Sequence, residues 1–591
     1  MDKILKIKEK YENLNKEYEK NSRKYSNLRL LFALIAIGII LANFKRIFTI
    51  PYFTLALLAI VAFFIAVHKE HISDDYSRQA KKLIDIANSY TQRKEGKWTE
   101  FSDTGAEFFR ENDPAFLEDL QILGDNSLFQ FLNCGKSYGG RKKLSEKLKI
   151  SFKENEKTIG KKAQITQDAI EILKEKPELV LLFQETISGI DGIERLYSEN
   201  EKNTFNMKRK FSNLDFIISL AISLLAIVLA ILSKNHVECL LMLIPVVFIQ
   251  FLSALLYQNA FDKEISETGK KLRQVREMQK VCKLLEKENF QGGELGIVQS
   301  KLNACQEVFT KLKKIDALES FRVNFVMWFI GNIFLSLNRF IIREYSKIQE
   351  NDKLKLYDAI CAMEDLEVLV SLTTINFVKE TVVRPQFTNE IKIYCKNIKH
   401  PLINDEVCKG NDFQSGRDIN VITGSNMSGK TSFMKTIGTN LVLAYSGAFV
   451  NGDEFVAPIM KLYTSINVKD DINKGISKFY AELLRLKDAM ETTEKGQPMI
   501  LFVDEIFSGT NYQDRMYGAK NILENLSKKN IIGFITTHDF ELCQINIENL
   551  ANYHFSEEYV NGKMQFSHKI QKGKCQGTNA VALMEQVGIL S

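Results

Sequence analysis

The sequence predicts a parallel α/β domain from residue 419 onward, joined to an all-α region and to four apolar helices arranged as two hairpins. The first observation is a regular alternation near the C-terminal end, where the strand-like runs "INVIT", "MILFV" and "IIGFIT" are each followed by a stretch of helical period. The second is that the apolar residues, 45% of the chain, are gathered into a few nearly charge-free runs instead of being spread evenly. The third is that the flanks of the central run, "KNTFNMKRKF" and "KEISETGKKLRQVREMQK", are charged and helical in pattern.

With 591 residues the chain exceeds what one hydrophobic core holds, and about three to four domains are expected. The net charge of +6 excludes the overall basicity that announces a nucleic-acid binder, so any polyanion site must be local. Nine cysteines, none in a C-x-x-C pair, argue against a disulfide framework or a zinc knuckle and fit a reducing cytosolic face.

The apolar runs are Leu30 to Phe44, Ile47 to Val67, Phe216 to Leu232 and Cys239 to Tyr257. At ~1.5 Å per residue they cover about 22 to 32 Å, against a hydrocarbon thickness of roughly 30 Å. They are apolar all the way round, unlike a helix packed on one side. Basic residues at the outer ends (Lys24, Arg29, Lys69, Lys208 to Lys210 and Lys263) put the large flanks in the cytoplasm and make the chain a multi-pass membrane protein in contact with lipid. Ahead of the first run, Ile4, Tyr11, Tyr18 and Tyr25 repeat every seven residues, as do Ile7, Leu14, Asn21 and Leu28. That stripe fits either a coiled coil between protomers or a helix packed on its own domain. A further stretch, "FVMWFIGNIFLSL" (325 to 337), is too short to span and reads as core.

Within the α/β region, Gly424-x4-Gly429-Lys430-Thr431 lies between a strand and a helix, as a P-loop requires. Gly424, Ser425, Asn426, Met427, Ser428, Gly429, Lys430, Thr431 and Ser432 form the expected phosphate cradle, in which Lys430 reaches the β/γ oxygens and Thr431 gives its hydroxyl to Mg²⁺. Asp504 and Glu505 end an apolar strand, which suits Asp504 to the Mg²⁺ shell and Glu505 to the attacking water. His538 in "TTHD" follows the next strand and is a third catalytic candidate beside Glu505 and Lys430. Helices are expected after Gly429 and Asp514. Between these motifs, Gly475 and Ser477 open a helix containing Phe479, Glu482 and Leu486, an anion site with no anion of its own. Its natural guest is the γ-phosphate of a second subunit, so that ATP joins a homodimer with composite sites.

In order and spacing, "TGSNMSGKTS", "DDINKGISKF", "FVDEIFSGTN" and "TTHDFEL" resemble the MutS family of ATPases, within the ABC superfamily. "KHPLI" (399 to 403) resembles the entry to that ATPase, "AICAMEDLEVLVSLTTI" (359 to 375) the helical lever before it, and "SLFQFLNCGKSYGGRKKLSEKL" (127 to 148) the start of the core, with Gly140 and Arg141 at the family's Gly-Arg. The resemblance implies an α/β P-loop ATPase domain of ABC/MutS type on an all-α core and lever, ATP and Mg²⁺ as ligands, Ser477 acting in trans, and a dimer that grips DNA, of the mismatch-repair or of the DNA-structure-sensing type. The chain departs from the pattern in having a charged helix and a hairpin where the family has its mismatch-reading domain, and the helix-turn-helix extension that some relatives carry at their end is not expected here. The family's adenine-stacking position falls near Val407.

The expected organisation is an N-terminal helix (1–29), a first membrane hairpin (30–67), a connector (68–126), a first lever arm (127–215), a second hairpin in place of the DNA clamp (216–257), a return arm (258–385) and the ATPase domain (386–591). Two functions follow. One is a membrane-anchored clamp on DNA, with "GGRKKLSEKLK" and "KLKK" (311 to 314) meeting phosphates. The other is an ATP-driven mechanical switch acting on its own hairpins or on a membrane partner. A transporter fits less well, because transporter ATPase halves lack a lever domain.

Overall fold

The computed structural model describes residues 1–42, 50–152, 154–188, 213–232, 244–255, 277–320, 325–348, 350–425, 428–467, 478–494, 496–560 and 563–574. The α/β domain is built on six strands: β1 (Ile419–Thr423), β2 (Lys461–Ser465), β3 (Met499–Val503), β4 (Ile531–Thr536), β5 (Leu550–Val560) and β6 (Lys563–Lys572). Their spatial order is β6-β5-β1-β4-β3-β2, parallel throughout except for the β5–β6 hairpin. β1, β3 and β4 coincide with the three predicted runs, and all their residues are buried. This is what an uninterrupted apolar run means in a parallel sheet covered on both faces.

One face carries the helix Lys430–Tyr445, the other the helices Lys478–Glu494 and Tyr512–Leu526. The last of these starts ahead of the predicted Asp514, because the Asn511 side chain accepts from the Asp514 N–H and caps it. A smaller four-stranded sheet (Gln386–Phe387, Glu454–Ala457, Ile393–Ile398 and Asn411–Ser415) flanks the domain.

The hydrophobic core does not stop at the edge of this domain. Phe433, Met434, Ile437 and Leu441 of the helix Lys430–Tyr445 share one cluster with Leu117, Leu120 and Ile170 of the all-α region. At Gly438 a Cβ would come within 2.7 Å of Leu120, so the helix lies against the α region with no room for a side chain. The all-α region centres on the 29-residue helix Glu350–Val378, against which Tyr138–Leu148 packs. The glycines of "YGG" permit that approach: a Cβ at Gly139 would meet the Glu364 carboxylate, and one at Gly140 would lie 2.6 Å from Glu367.

Glu367 is buried, and its Oε2 accepts the Lys136 and Ser137 N–H groups at 2.8 and 3.0 Å. Burial outweighs those bonds and pushes the carboxyl up to about 7. A raised carboxyl binds its proton more tightly folded than unfolded, so its contribution is full below the unfolded value near 4.5 and is lost as pH rises through 7. A shift of this size is worth roughly 3 kcal/mol. Glu367→Gln is therefore expected to flatten the pH 5 to 8 stability slope and to raise the thermal midpoint at pH 8, as read by calorimetry at stepped pH.

At the N-terminal end, helices Asp2–Ala42 and Ile50–Lys94 run through the expected boundaries at 29/30 and 67/68 without a break. Their charged halves pair within the chain. Tyr18 stacks on Tyr76 with centroids 5.3 Å apart, Ser77 Oγ donates to Asn15 at 2.8 Å, and Arg29 meets Glu70 at 2.9 Å. The heptad stripe is thus used inside the protomer. Their other halves present Leu34, Leu41, Leu58 and Phe64 outward.

Among the described residues, two helices are long and apolar enough to cross a membrane, Asp2–Ala42 and Thr54–Lys94, where four were expected. The second pair appears as Asn213–Leu232 and the shorter Ile244–Leu255, with the turn between them outside the described residues. The reading of 325–337 as core holds for one side only: in the helix Phe325–Leu335 and the residues after it Trp328, Ile333 and Leu337 are buried, whereas Met327, Ile330, Phe334 and Leu335 are exposed.

Candidate functional site

The C-terminal ends of β1, β4 and β3 lie side by side, and the predicted motifs converge there. After β1 the chain turns through Gly424 (φ 147°) and Gly429 (φ 115°) into the helix beginning at Lys430. A Cβ at Gly424 would come within 2.9 Å of Ser428 Oγ, so glycine is needed there for space as well as for backbone. Lys430 is buried and its Nζ donates to the carbonyls of Gly424 and Ser425 at 2.8 and 2.9 Å. The buried hydroxyls Ser425 Oγ and Ser428 Oγ have no hydrogen-bond partner among the described residues. Unsatisfied donors around a buried cation are what a phosphate group would complete. Asn426 and Met427 lie outside the described residues, and Ser432 faces solvent.

Thr431 Oγ1 donates to the Asp504 carboxylate, 3.0 and 2.9 Å from its two oxygens. Thr536 Oγ1, at the end of β4, donates to Asp504 Oδ1 at 2.6 Å and accepts the Glu505 N–H at 2.7 Å. Thr431 and Asp504 thus form a hard oxygen pair suited to Mg²⁺. Glu505 (φ 51°) and Phe507 (φ 58°) both adopt the left-handed conformation, which costs about 1–3 kcal/mol per non-glycine residue and persists only where surroundings enforce it. The enforcement is visible: the Phe507 N–H donates to Glu482 Oε1 at 2.9 Å, and Phe479 packs edge-on against Phe507. Burial raises the Glu482 carboxyl above the usual range. The turn aims Glu505 outward to His538, with His538 Nε2 3.0 Å from Glu505 Oε1 and the two side chains 40% and 39% exposed. Asp539 next to it is gripped by Arg515, whose Nε and Nη2 donate at 2.6 and 3.0 Å, so the loop carrying His538 is fixed to the preceding helix Tyr512–Leu526.

Gly475 and Ser477 lie outside the described residues. The helix they were expected to open is present from Lys478, with Glu482 and Leu486 buried, and Lys478 Nζ donates to Ser508 Oγ at 3.1 Å.

Three residues escaped the sequence reading. Thr536 bridges Asp504 and Glu505. His568, on β6, rests on the P-loop with Nδ1 3.0 Å from the Ser428 carbonyl oxygen, whereas Val407 is 68% exposed. Asp119, fully buried in the all-α region, accepts the N–H groups of Ile466 and Asn467 at 3.1 Å and Arg485 Nη1 at 3.0 Å. Only the antiparallel return of β6 and a long-range contact reveal the last two; "FSHKIQKG" and "FLEDL" carry no signal by themselves.

The two basic clusters expected to meet phosphates are largely neutralised from within. Arg141 pairs with Asp103 and Glu107, Lys143 with Glu364 and Asp365, Lys149 with Asp113, Lys311 with Asp352 and Lys314 with Glu344.

Residues 420–589 match the family model of MutS domain V. The DNA mismatch repair protein MutS of Bacillus mycoides (strain KBAB4) is 34% identical over 246 residues, 39% of this chain and 27% of that protein. The proteins of the same name from Bacillus thuringiensis (strain Al Hakam) and Bacillus cereus (strain B4264) are 33% identical over the same length and shares. The similarity thus spans about a quarter of the length of these relatives, 27% in each case.

Proposed function

We propose that this chain, whose residues 420–589 match MutS domain V, is a membrane-anchored, ATP-hydrolysing dimer whose nucleotide state changes its grip on DNA. The observation that carries this reading is the single constellation of Lys430, Thr431, Asp504, Glu505 and His538 at the ends of three adjacent parallel strands. Lys430 leaves its loop carbonyls to bind the β/γ-phosphate oxygens. Thr431 and Asp504 hold Mg²⁺, which when bound neutralises charge on those oxygens. Glu505 orients the water and receives its proton, and His538 keeps the carboxylate aimed. Gly475 and Ser477 complete the site from the partner subunit, making ATP the joint of the dimer. Lys430→Ala should weaken ATP binding about 10- to 100-fold, the worth of a lost charge-assisted bond, in an equilibrium titration with a fluorescent ATP analogue.

Anchoring is supported by the two long helices with apolar halves, of which the spanning windows are only 6% and 17% buried. DNA as ligand is supported by the relatives, which are DNA mismatch repair proteins by name. A second reading, a mechanical switch on the membrane with no nucleic acid, is favoured by the internal pairing of the basic clusters. The deciding measurement uses the full chain in lipid vesicles with duplex, mismatched and branched DNA. Binding that falls steeply with salt and an off-rate that responds to ATP support the clamp; ATP turnover with no DNA binding at low salt transfers the assignment to the switch.

A further inference from the structure

We infer that the helix Phe325–Leu335 lies in the hydrocarbon of a lipid bilayer, packed with Asn213–Leu232 and Ile244–Leu255 as one inside-out unit. The inference rests on the membrane anchoring proposed above and extends it to a segment too short to be recognised as a span.

The distribution of polarity carries the inference. Inside the three-helix unit, beside the buried Ala254, Trp328 and Ile333, lies a polar cluster: Ser219 Oγ lies 2.8 Å from Gln250 Oε1 and 2.6 Å from Ser336 Oγ, Gln250 Nε2 donates to the Ser219 carbonyl at 2.9 Å, and Ser223 Oγ donates to the Ile333 carbonyl at 2.9 Å. All four polar side chains are buried. Asn332 adds a second layer, its Oδ1 accepting the Asn338 N–H at 2.9 Å. Outside, the same helices present Ile217, Leu225, Phe248, Ile330 and Leu335, each 46% to 63% exposed. A unit folded against water would be the reverse, with leucines within and hydroxyls without. Surrounded by lipid there is no gain from burying apolar side chains, and helices associate through small and polar residues that hydrogen-bond one another.

The limits of the unit are marked in the chain. No charged residue occurs from Phe325 to Asn338, and arginines bracket the run at 322 and 339. Ser336 takes φ 48° and breaks the helix; just beyond it Leu337, Ile341 and Ile342 rejoin the main core. Arg339 Nη2 donates to Ser253 Oγ at 2.5 Å, placing a cation at the rim where the unit meets the all-α region. Lipid is favoured over a second copy because the outward apolar surface belongs to all three helices rather than to one patch. It also has the character of the apolar halves of Asp2–Ala42 and Thr54–Lys94.

The test places a single tryptophan in the full chain. Trp98 and Trp328, the two tryptophans of the sequence, are changed to Phe, and Ile330→Trp or Met327→Trp is added. Leu57→Trp in the same background reports the first hairpin, and Trp328→Phe alone leaves Trp98 as a probe of the interior away from lipid. Retained ATP turnover certifies each fold. In phosphatidylcholine vesicles with brominated acyl chains, the Ile330→Trp or Met327→Trp emission is expected to fall to less than half its value in unbrominated vesicles, as for Leu57→Trp, while Trp98 is unchanged. Emission indifferent to bromine at both positions overturns the inference, whether aqueous iodide quenches it (a water-facing helix) or does not (a face covered by a second copy). If Leu57→Trp is indifferent as well, the anchoring itself fails.

Discussion

Glu505→Gln is expected to slow ATP hydrolysis by about 10²- to 10⁴-fold, the usual worth of a positioned general base, while leaving ATP affinity nearly unchanged. The amide keeps the size of the side chain and its 3.0 Å neighbour His538, but it does not take up a proton. Nothing in the phosphate cradle is altered, because Lys430, Thr431 and Asp504 reach their partners without Glu505. Bound ATP should therefore persist, and the dimer it joins should accumulate as a stable species in sedimentation velocity. His538→Ala should cost less, since its role is to hold the carboxylate. Normal single-turnover hydrolysis by Glu505→Gln would remove this residue from the mechanism and, with it, the reading of the left-handed turn as a device for aiming it.

Asp119→Ala should produce the largest loss of stability among single changes in the described contacts between the two regions. The carboxylate is 1% exposed and accepts three hydrogen bonds, two from the chain leaving β2 and one from Arg485. Removing it strands the buried Ile466 N–H, the part-buried Asn467 N–H and a half-buried guanidinium, at a cost of about 2–4 kcal/mol. Asp119→Asn, which keeps one acceptor oxygen, should lose roughly half as much. Urea denaturation of the full chain checks this through the midpoint at unchanged slope. A midpoint within error of wild type for the alanine variant would show that the contact is incidental. Because Arg485 sits on the same helix as Glu482, which holds the Phe507 N–H, a loosened Asp119 should also lower ATP turnover in the folded protein.

Where local chemistry dictated structure, the sequence was legible. "INVIT", "MILFV" and "IIGFIT" are buried on both sides and β-rich, and they became β1, β3 and β4 residue for residue. Gly424 and Gly429 announced a backbone that only glycine adopts readily, and both have positive φ. What stayed hidden depends on contacts between distant residues. Whether Arg141 or Lys143 is free to meet a phosphate depends on Glu107 and Glu364, which no spacing rule brings near them. His568 reaches the P-loop only because β6 returns antiparallel beside β5. The outward side of the helix Phe325–Leu335 was missed because hydropathy measures how apolar a segment is and not which way its apolar side faces. The N-terminal stripe fitted two partners equally, and the choice was made by its own members: Ile4 enters the main core, Tyr11 reaches Glu178 and Tyr18 stacks on Tyr76.

The shared core beneath the helix Lys430–Tyr445 bears on how this protein can be taken apart. The family model of domain V draws its line at residue 420, yet Gly438 rests on Leu120, and the Thr439 hydroxyl donates to the Leu120 carbonyl across that line. A nucleotide-binding fragment cut at the family boundary would carry the whole catalytic constellation and still expose the apolar underside of its own central helix. Such a fragment should be insoluble or self-associating, and recombinant work on the engine alone needs residues 115–132 supplied with it, in cis or as a second chain. The heritable module and the cooperative folding unit have different borders here.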